Sequence, residues 1–190
     1  MESVENYRRD LLQTLAELDL SGLNKVIEVF ADARQQGRSI FIAGNGGSAA
    51  SASHFVCDVV KGASYGKDSR FRILSLNDNF MTLTAYANDV GYDAVFVEPL
   101  KNFAQAGDVF MAISGSGNSP NVVKAMEYAQ QAGLTTIAMT GRTGGTLGNL
   151  AEHHLHVKNS HMGRIEDVHM MMCHMIAYHF METEAGAPKG

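Results

Sequence analysis

The strongest constraint on the fold is a rhythm of five short apolar runs: Ser39–Ala43, Phe71–Leu76, Val109–Ser114, Thr135–Met139 and a weaker His154–Val157. Polar turns and stretches with helical spacing, at 48–61, 79–87, 119–132 and 163–182, separate them. Strands that alternate with helices read as parallel strands joined by right-handed crossovers. The expected fold is α/β, a three-layer α/β/α sandwich with a central parallel sheet. Ahead of it, Leu11, Leu12, Leu15 and Leu18, then Leu23, Val26, Ile27, Val29 and Phe30, recur at helical intervals, with Ser21-Gly22 as the expected break. Residues 1–36 are therefore expected as a helical arm for packing or assembly, 37–183 as the α/β core and 184–190 as a frayed tail, all in one domain.

Composition removes several classes of function. At 190 residues with 45% hydrophobic and 18% charged content, the chain suits a single compact core. A net charge of −5 with no Lys or Arg run argues against nucleic acid as a direct ligand. Nothing approaches the ~18 apolar residues of a membrane span. The opening MESVENYRRD is acidic from its second residue and resembles neither a secretory nor a transit segment. Cys57 and Cys173 fall inside expected helices and form no CxxC pair, which points to a reducing compartment, the cytoplasm.

Ligands of open parallel sheets bind beyond the carboxyl ends of the strands, which directs attention to two loops. The first, Gly44-Asn45-Gly46-Gly47-Ser48-Ala49, satisfies G-x-G-x-x-A between a strand and a helix. Its glycines let backbone N–H groups approach an anion, and Ser48 could cap the helix or bond a sugar hydroxyl. Asp78, after the second strand, could serve a nicotinamide ribose, so this loop alone leaves a dinucleotide open. The second loop, Ser114-Gly115-Ser116-Gly117-Asn118-Ser119-Pro120, adds three hydroxyls, exposed N–H groups and a proline suited to the first turn of a helix. Any one of these serines could be a simple cap, but three on one phosphate-sized loop suit a phosphate. A nucleotide site would need only the first loop, so no nucleotide cofactor is expected.

The segments AGNGGSA and ISGSGNSPNVVKA resemble the sugar isomerase domain family, and the spacing from about Val26 to about Phe180 is similar to its phosphoheptose isomerases. The resemblance implies that Ser114, Ser116 and Ser119 hold a sugar phosphate, with Asn45 and Ser48 near the sugar. It also implies interconversion of sedoheptulose 7-phosphate and D-glycero-D-manno-heptose 7-phosphate, in a homotetramer with active sites between subunits. Aldose–ketose exchange passes through an enediol and needs a base over carbon and an acid near oxygen. His54 and Asp58 lie four apart on one helix, hence on one face. Glu166 and His174 are separated by about two turns, roughly 12 Å along the axis.

The resemblance assigns Asp58 and His174 as base and acid, with His54 and Glu166 as further ligands of substrate or zinc. Two positions depart from the family pattern, which has glutamate where Asp58 stands and glutamine where Glu166 stands. The set His54, Asp58, Glu166 and His174 also suits zinc or another divalent ion on its donor chemistry alone. Asp89, in a segment that matches the family near the active site, is expected either to orient a sugar hydroxyl or to end a helix. Lys61 and Arg164 read as solvated charges, and His153, His154 and His156 as structural. His169 is placed to reach a neighbouring subunit, and Met170–Met172 and Met175 suit core or oligomer packing.

The rival readings are a non-catalytic adaptor of the same family, a sugar-phosphate-sensing regulator and a nicotinamide dehydrogenase. The first lacks the acid–base pair present here, the second needs a DNA-reading segment not found here, and the third does not use the second loop.

Overall fold

The computed structural model describes residues 3–183. Helices α1 (Val4–Ala16) and α2 (Leu20–Gln35) lead into β1 (Ser39–Gly44) and α3 (Gly47–Cys57), which continues as a π-helical turn over Asp58–Gly62. Then come β2 (Arg72–Ser75), α4 (Phe80–Asp89), a 3₁₀ turn (Tyr92–Ala94), α5 (Val97–Phe103), β3 (Val109–Ser114) and α6 (Pro120–Gln131). The chain closes with β4 (Thr135–Thr140), α7 (Gly145–Leu150), β5 (His153–His156) and α8 (Met162–Glu182). The five strands form one parallel sheet in the order β2-β1-β3-β4-β5, with Ile40 opposite Ile73 on one side and opposite Val109 on the other.

Both faces of the three central strands are covered, so β1, β3 and β4 are buried almost throughout, whereas the edge strands β2 and β5 are buried only in part. Successive side chains alternate between faces. Ile40, Ile42, Met111, Ile113 and Ile137 pack with Phe30 of α2, Phe55 of α3 and Val168 and Ile176 of α8. Phe41, Phe110, Ala112 and Ala138 face the other way, onto Leu100 of α5, Val122 and Met126 of α6 and Leu147 of α7. The result is the three-layer parallel α/β architecture expected from the strand–helix rhythm.

Two local readings are amended. The break between the first helices falls at 17–19, because Asp19 caps α2 by accepting from the Ser21 backbone N–H at 3.0 Å and from its hydroxyl at 2.7 Å. Ser21 and Gly22 therefore open α2 instead of interrupting it. In the arm, Leu11, Leu15, Leu18 and Ile27 pack on the core. Helices α5 and α7 were not foreseen, being short and carrying Pro99 or two glycines. The tail 184–190 lies outside the described residues.

The strand order reverses direction after β1: one neighbour follows it in sequence and the other comes only after β2. Loops leaving β1 and β3 therefore part to opposite sides, and the crevice between them is where such sheets take ligands.

Candidate active site

Asn45 stands at this crevice. Its side-chain N–H₂ donates to Asn121 Oδ1 at 2.8 Å, and its carbonyl accepts from Asn121 Nδ2 at 2.9 Å and from the Tyr92 hydroxyl at 2.9 Å. Asn77 pins the end of β1 by a reciprocal pair with the backbone of Gly44, donating at 2.7 Å and accepting at 3.2 Å. Gly46, with φ 54°, precedes α3. A Cβ on Gly47 would lie 2.6 Å from Glu166 Oε1, so a larger residue here would displace that carboxylate from its present position. Ser48 is buried within the first turn of α3 and does not cap it, against one of its two expected roles; among the described residues no side chain caps that helix.

In the second loop, Ser114 ends β3 with its hydroxyl 3.5 Å from that of Ser116, which also accepts the Asn118 N–H at 3.2 Å. Ser119 is the N-cap residue of α6 by backbone geometry, yet its hydroxyl makes no cap bond. Pro120 has no N–H and the Val122 N–H goes to Asn121 Oδ1 at 3.0 Å, so in this first turn the Asn121 N–H is the one that keeps its capacity for an anion among the described residues. Gly115 packs under Met162 at the start of α8. Asp89 is exposed at the end of α4 and accepts from Asn88 at 2.7 Å.

Further along α3 and α8, three side chains converge. His54 Nε2 lies 3.2 Å from His174 Nε2, and Asp58 Oδ2 lies 3.3 Å and 3.6 Å from the same two nitrogens. Asp58 Oδ2 is shut off from solvent and has no hydrogen-bond partner among the described residues. Such an oxygen is costly unless something occupies the space it faces. A tetrahedral ion held at roughly 2.0–2.1 Å would space its ligands by about 3.3 Å, which matches this triangle. Glu166 is not in the cluster: its carboxylate rests against Gly47, at the positive end of α3.

The four proposed metal donors are thereby divided into a trio and one residue beside the first loop. Below the trio, burial and the Asp58 carboxylate push the Cys173 thiol up to about 12, so it stays protonated beside the site.

Other expectations sort by burial. Arg164 is buried and pairs with Asp10 at 3.2 Å, so it is no solvated surface charge. Asp78 accepts from Ser53 at 2.5 Å, which engages the acid that a nucleotide ribose would need. His154 donates to or accepts from the Thr140 hydroxyl at 2.6 Å and stacks on His156, as befits structural residues. His169 is fully buried inside the chain and reaches no neighbour's surface. Asn77, Tyr92 and Asn121 were missed, although Tyr92 and Asn121 stand within a few residues of the motifs; polar residues in such turns give no sign in sequence of what they will meet.

Known proteins place this geometry. The SIS domain profile matches residues 5–141. The phosphoheptose isomerase of Bordetella avium is 40% identical over 172 residues, 87% of this chain and 83% of that protein. The probable phosphoheptose isomerase of Thermoplasma volcanium is 37% identical over 160 residues, 84% of this chain and 81% of its own. The solved phosphoheptose isomerase of Neisseria gonorrhoeae superposes with a TM-score of 0.86 at 28% identity, covering 93% of this chain and 96% of the other.

Proposed function

Because the chain belongs to the SIS domain family, alongside its phosphoheptose isomerases, we propose that it interconverts sedoheptulose 7-phosphate and D-glycero-D-manno-heptose 7-phosphate. The observation that carries the reading is the meeting of Asp58 and His174, residues 116 positions apart in sequence, at 3.6 Å. The N-terminus of α6 and the hydroxyls of Ser114, Ser116 and Ser119 receive the phosphate, with Gly115 giving it room, and Asn45, Gly46, Gly47, Ser48 and Asp89 border the sugar.

Asp58 takes a proton from C1 of the ketose while His174 gives one to the C2 oxygen, producing the enediol. The C1 hydroxyl then returns its proton to His174, and Asp58 delivers its own to C2, leaving the aldose. Each carboxylate and imidazole ends as it began. His54 holds the Asp58 carboxylate in place from one turn away.

His54, Asp58 and His174 would also hold a zinc ion, a reading favoured by the orphaned Asp58 oxygen; since a ligating nitrogen carries no proton, His174 would have to yield its place on the ion to substrate oxygens before it could act as the acid. Such an ion, when bound, polarises the sugar oxygens. Glu166 then serves the substrate side, and the metal set is three residues instead of four.

An adaptor role has no use for this converged acid–base pair. The His54 and His174 side chains are 53% and 42% exposed, too open for enediol chemistry, which needs shielding from water. A homotetramer with sites between subunits supplies the missing wall. The two cysteines, in no disulfide among the described residues, suit the cytoplasm.

The test is to incubate the purified protein with a panel of ketose phosphates and follow aldose formation, with and without chelator. Turnover of the heptulose phosphate ahead of shorter ketose phosphates is expected, falling on chelation and returning with zinc. No aldose from any member ends the reading.

A further inference from the structure

The Asn45 carboxamide is held by three separate segments of the chain. Asn121, 2% exposed at the second position of α6, exchanges both amide bonds with it. Tyr92, from the 3₁₀ turn after α4, adds a hydroxyl donor to the same carbonyl. That turn is itself tied to α6 by Lys124 and Asp93 at 2.9 Å.

The orientation of the pair is not arbitrary. A backbone N–H can only donate, and the N–H of Val122 donates to Asn121 Oδ1 at 3.0 Å. This fixes which end of the Asn121 amide is oxygen, and the reciprocal bonds then fix Asn45. An amide offers two acceptor sites and two donor protons. In Asn45 both acceptor sites are taken, by Asn121 and Tyr92, and one proton goes to Asn121. A single N–H is left.

We infer that Asn121 and Tyr92 are positioning residues that present Asn45 to the sugar as a one-proton donor, so that this point of the crevice selects a substrate oxygen. They also clamp the first loop to the helix that follows the second, holding the sugar-binding and phosphate-binding sides in one register. The inference rests on the proposed sugar site, but neither residue needs to touch the substrate.

The experiment is a double-mutant cycle. Tyr92→Phe removes one hydroxyl from a ring that is 54% exposed, so folding is retained. In the wild-type background it is expected to lower kcat/KM for sedoheptulose 7-phosphate about tenfold, the scale of losing one ordered hydrogen bond. In an Asn45→Ala background it should change kcat/KM less than twofold, because its effect has been removed already. Asn121→Asp keeps the shape and the Val122 bond but cannot donate, and should likewise lose its effect once Asn45 is gone. Equal losses in both backgrounds, or no loss for Tyr92→Phe in the wild type, would overturn the inference. Should the wild type bind sedoheptulose 7-phosphate without turning it over, only the isomerase reading fails, and the cycle is read on calorimetric Kd with the same two criteria. Absence of any sugar-phosphate binding overturns both.

Discussion

As the proposed base, Asp58 would meet two demands with one short carboxylate: it faces the two histidines and would still have to reach a substrate carbon. Being a methylene shorter than glutamate, it depends on where the backbone carries it, and misplacement of a base by a bond length can cost on the order of 10²-fold. Asp58→Asn or His174→Gln is therefore expected to abolish turnover while sugar-phosphate Kd stays within about tenfold; unchanged turnover by either variant would remove that residue from the chemistry. His169 poses a different problem. Its ring nitrogens have no partner of hydrogen-bond geometry among the described residues, and burial pushes its pKa down to about 4, the Thr140 backbone opposing this to a lesser degree. The unfolded imidazole titrates near 6.5 and so takes up a proton first as pH falls. Its contribution to stability is complete above about pH 6.5 and is lost progressively down to about pH 4, on the order of 3 kcal/mol. His169→Met should flatten the fall in urea midpoint between pH 7 and 4.5, and a slope as steep as wild type would contradict this.

At the scale of elements, α8 organises the site because it can lie close to the loops beneath it. A Cβ on Gly141 would fall 2.5 to 2.7 Å from three atoms of Ile165, a fully buried branched side chain with nowhere to turn. Gly141→Ala should cost about 1–3 kcal/mol of stability by overpacking, partly recovered when combined with Ile165→Val; equal denaturation midpoints for wild type and Gly141→Ala would show the contact to be slack. Helix α3 contributes its own device. Its α-helical register ends at Cys57 and a π-helical turn begins at Asp58. Such turns re-aim side chains and recur at functional sites, and here the shift begins at the carboxylate that meets both histidines. On the opposite bank, Ser116→Ala should raise the Michaelis constant for the sugar phosphate with little change in kcat, since a phosphate contact made equally before and during reaction affects binding.

For the molecule as a whole, the distribution of exposed apolar surface is informative. The N-terminal arm packs Leu11, Leu15, Leu18 and Ile27 on its own core but leaves Val4, Leu12 and Leu20 more than half exposed, as Phe80, Met81, Val90 and Phe103 are around α4 and α5. Leu74, Leu76, Met81, Leu83 and Phe103 line a cavity of about 560 Å³ between β2 and those helices. Tyr178, whose ring meets that of His174, and Val60 and Met175, close in sequence to Asp58 and His174, are also open. Apolar area at this density marks surfaces that associate. Sedimentation is expected to give a tetramer, with activity lost on dilution in step with dissociation; a fully active monomer would mean that one chain shields its own site.

The order of the five strands and the longer helices, and the two loops, were written in local patterns: period-two and helical spacing, Gly-Asn-Gly-Gly and Ser-Gly-Ser-Gly. These are legible because each arises within a few residues. Which side chains meet was not. Whether Glu166 joins the histidines or rests on Gly47, whether His169 faces a neighbour or the core, and whether Asn121 holds Asn45 all depend on how α8 and α6 settle against loops distant in sequence. Local spacing fixes a face of one helix, but only packing fixes what that face meets.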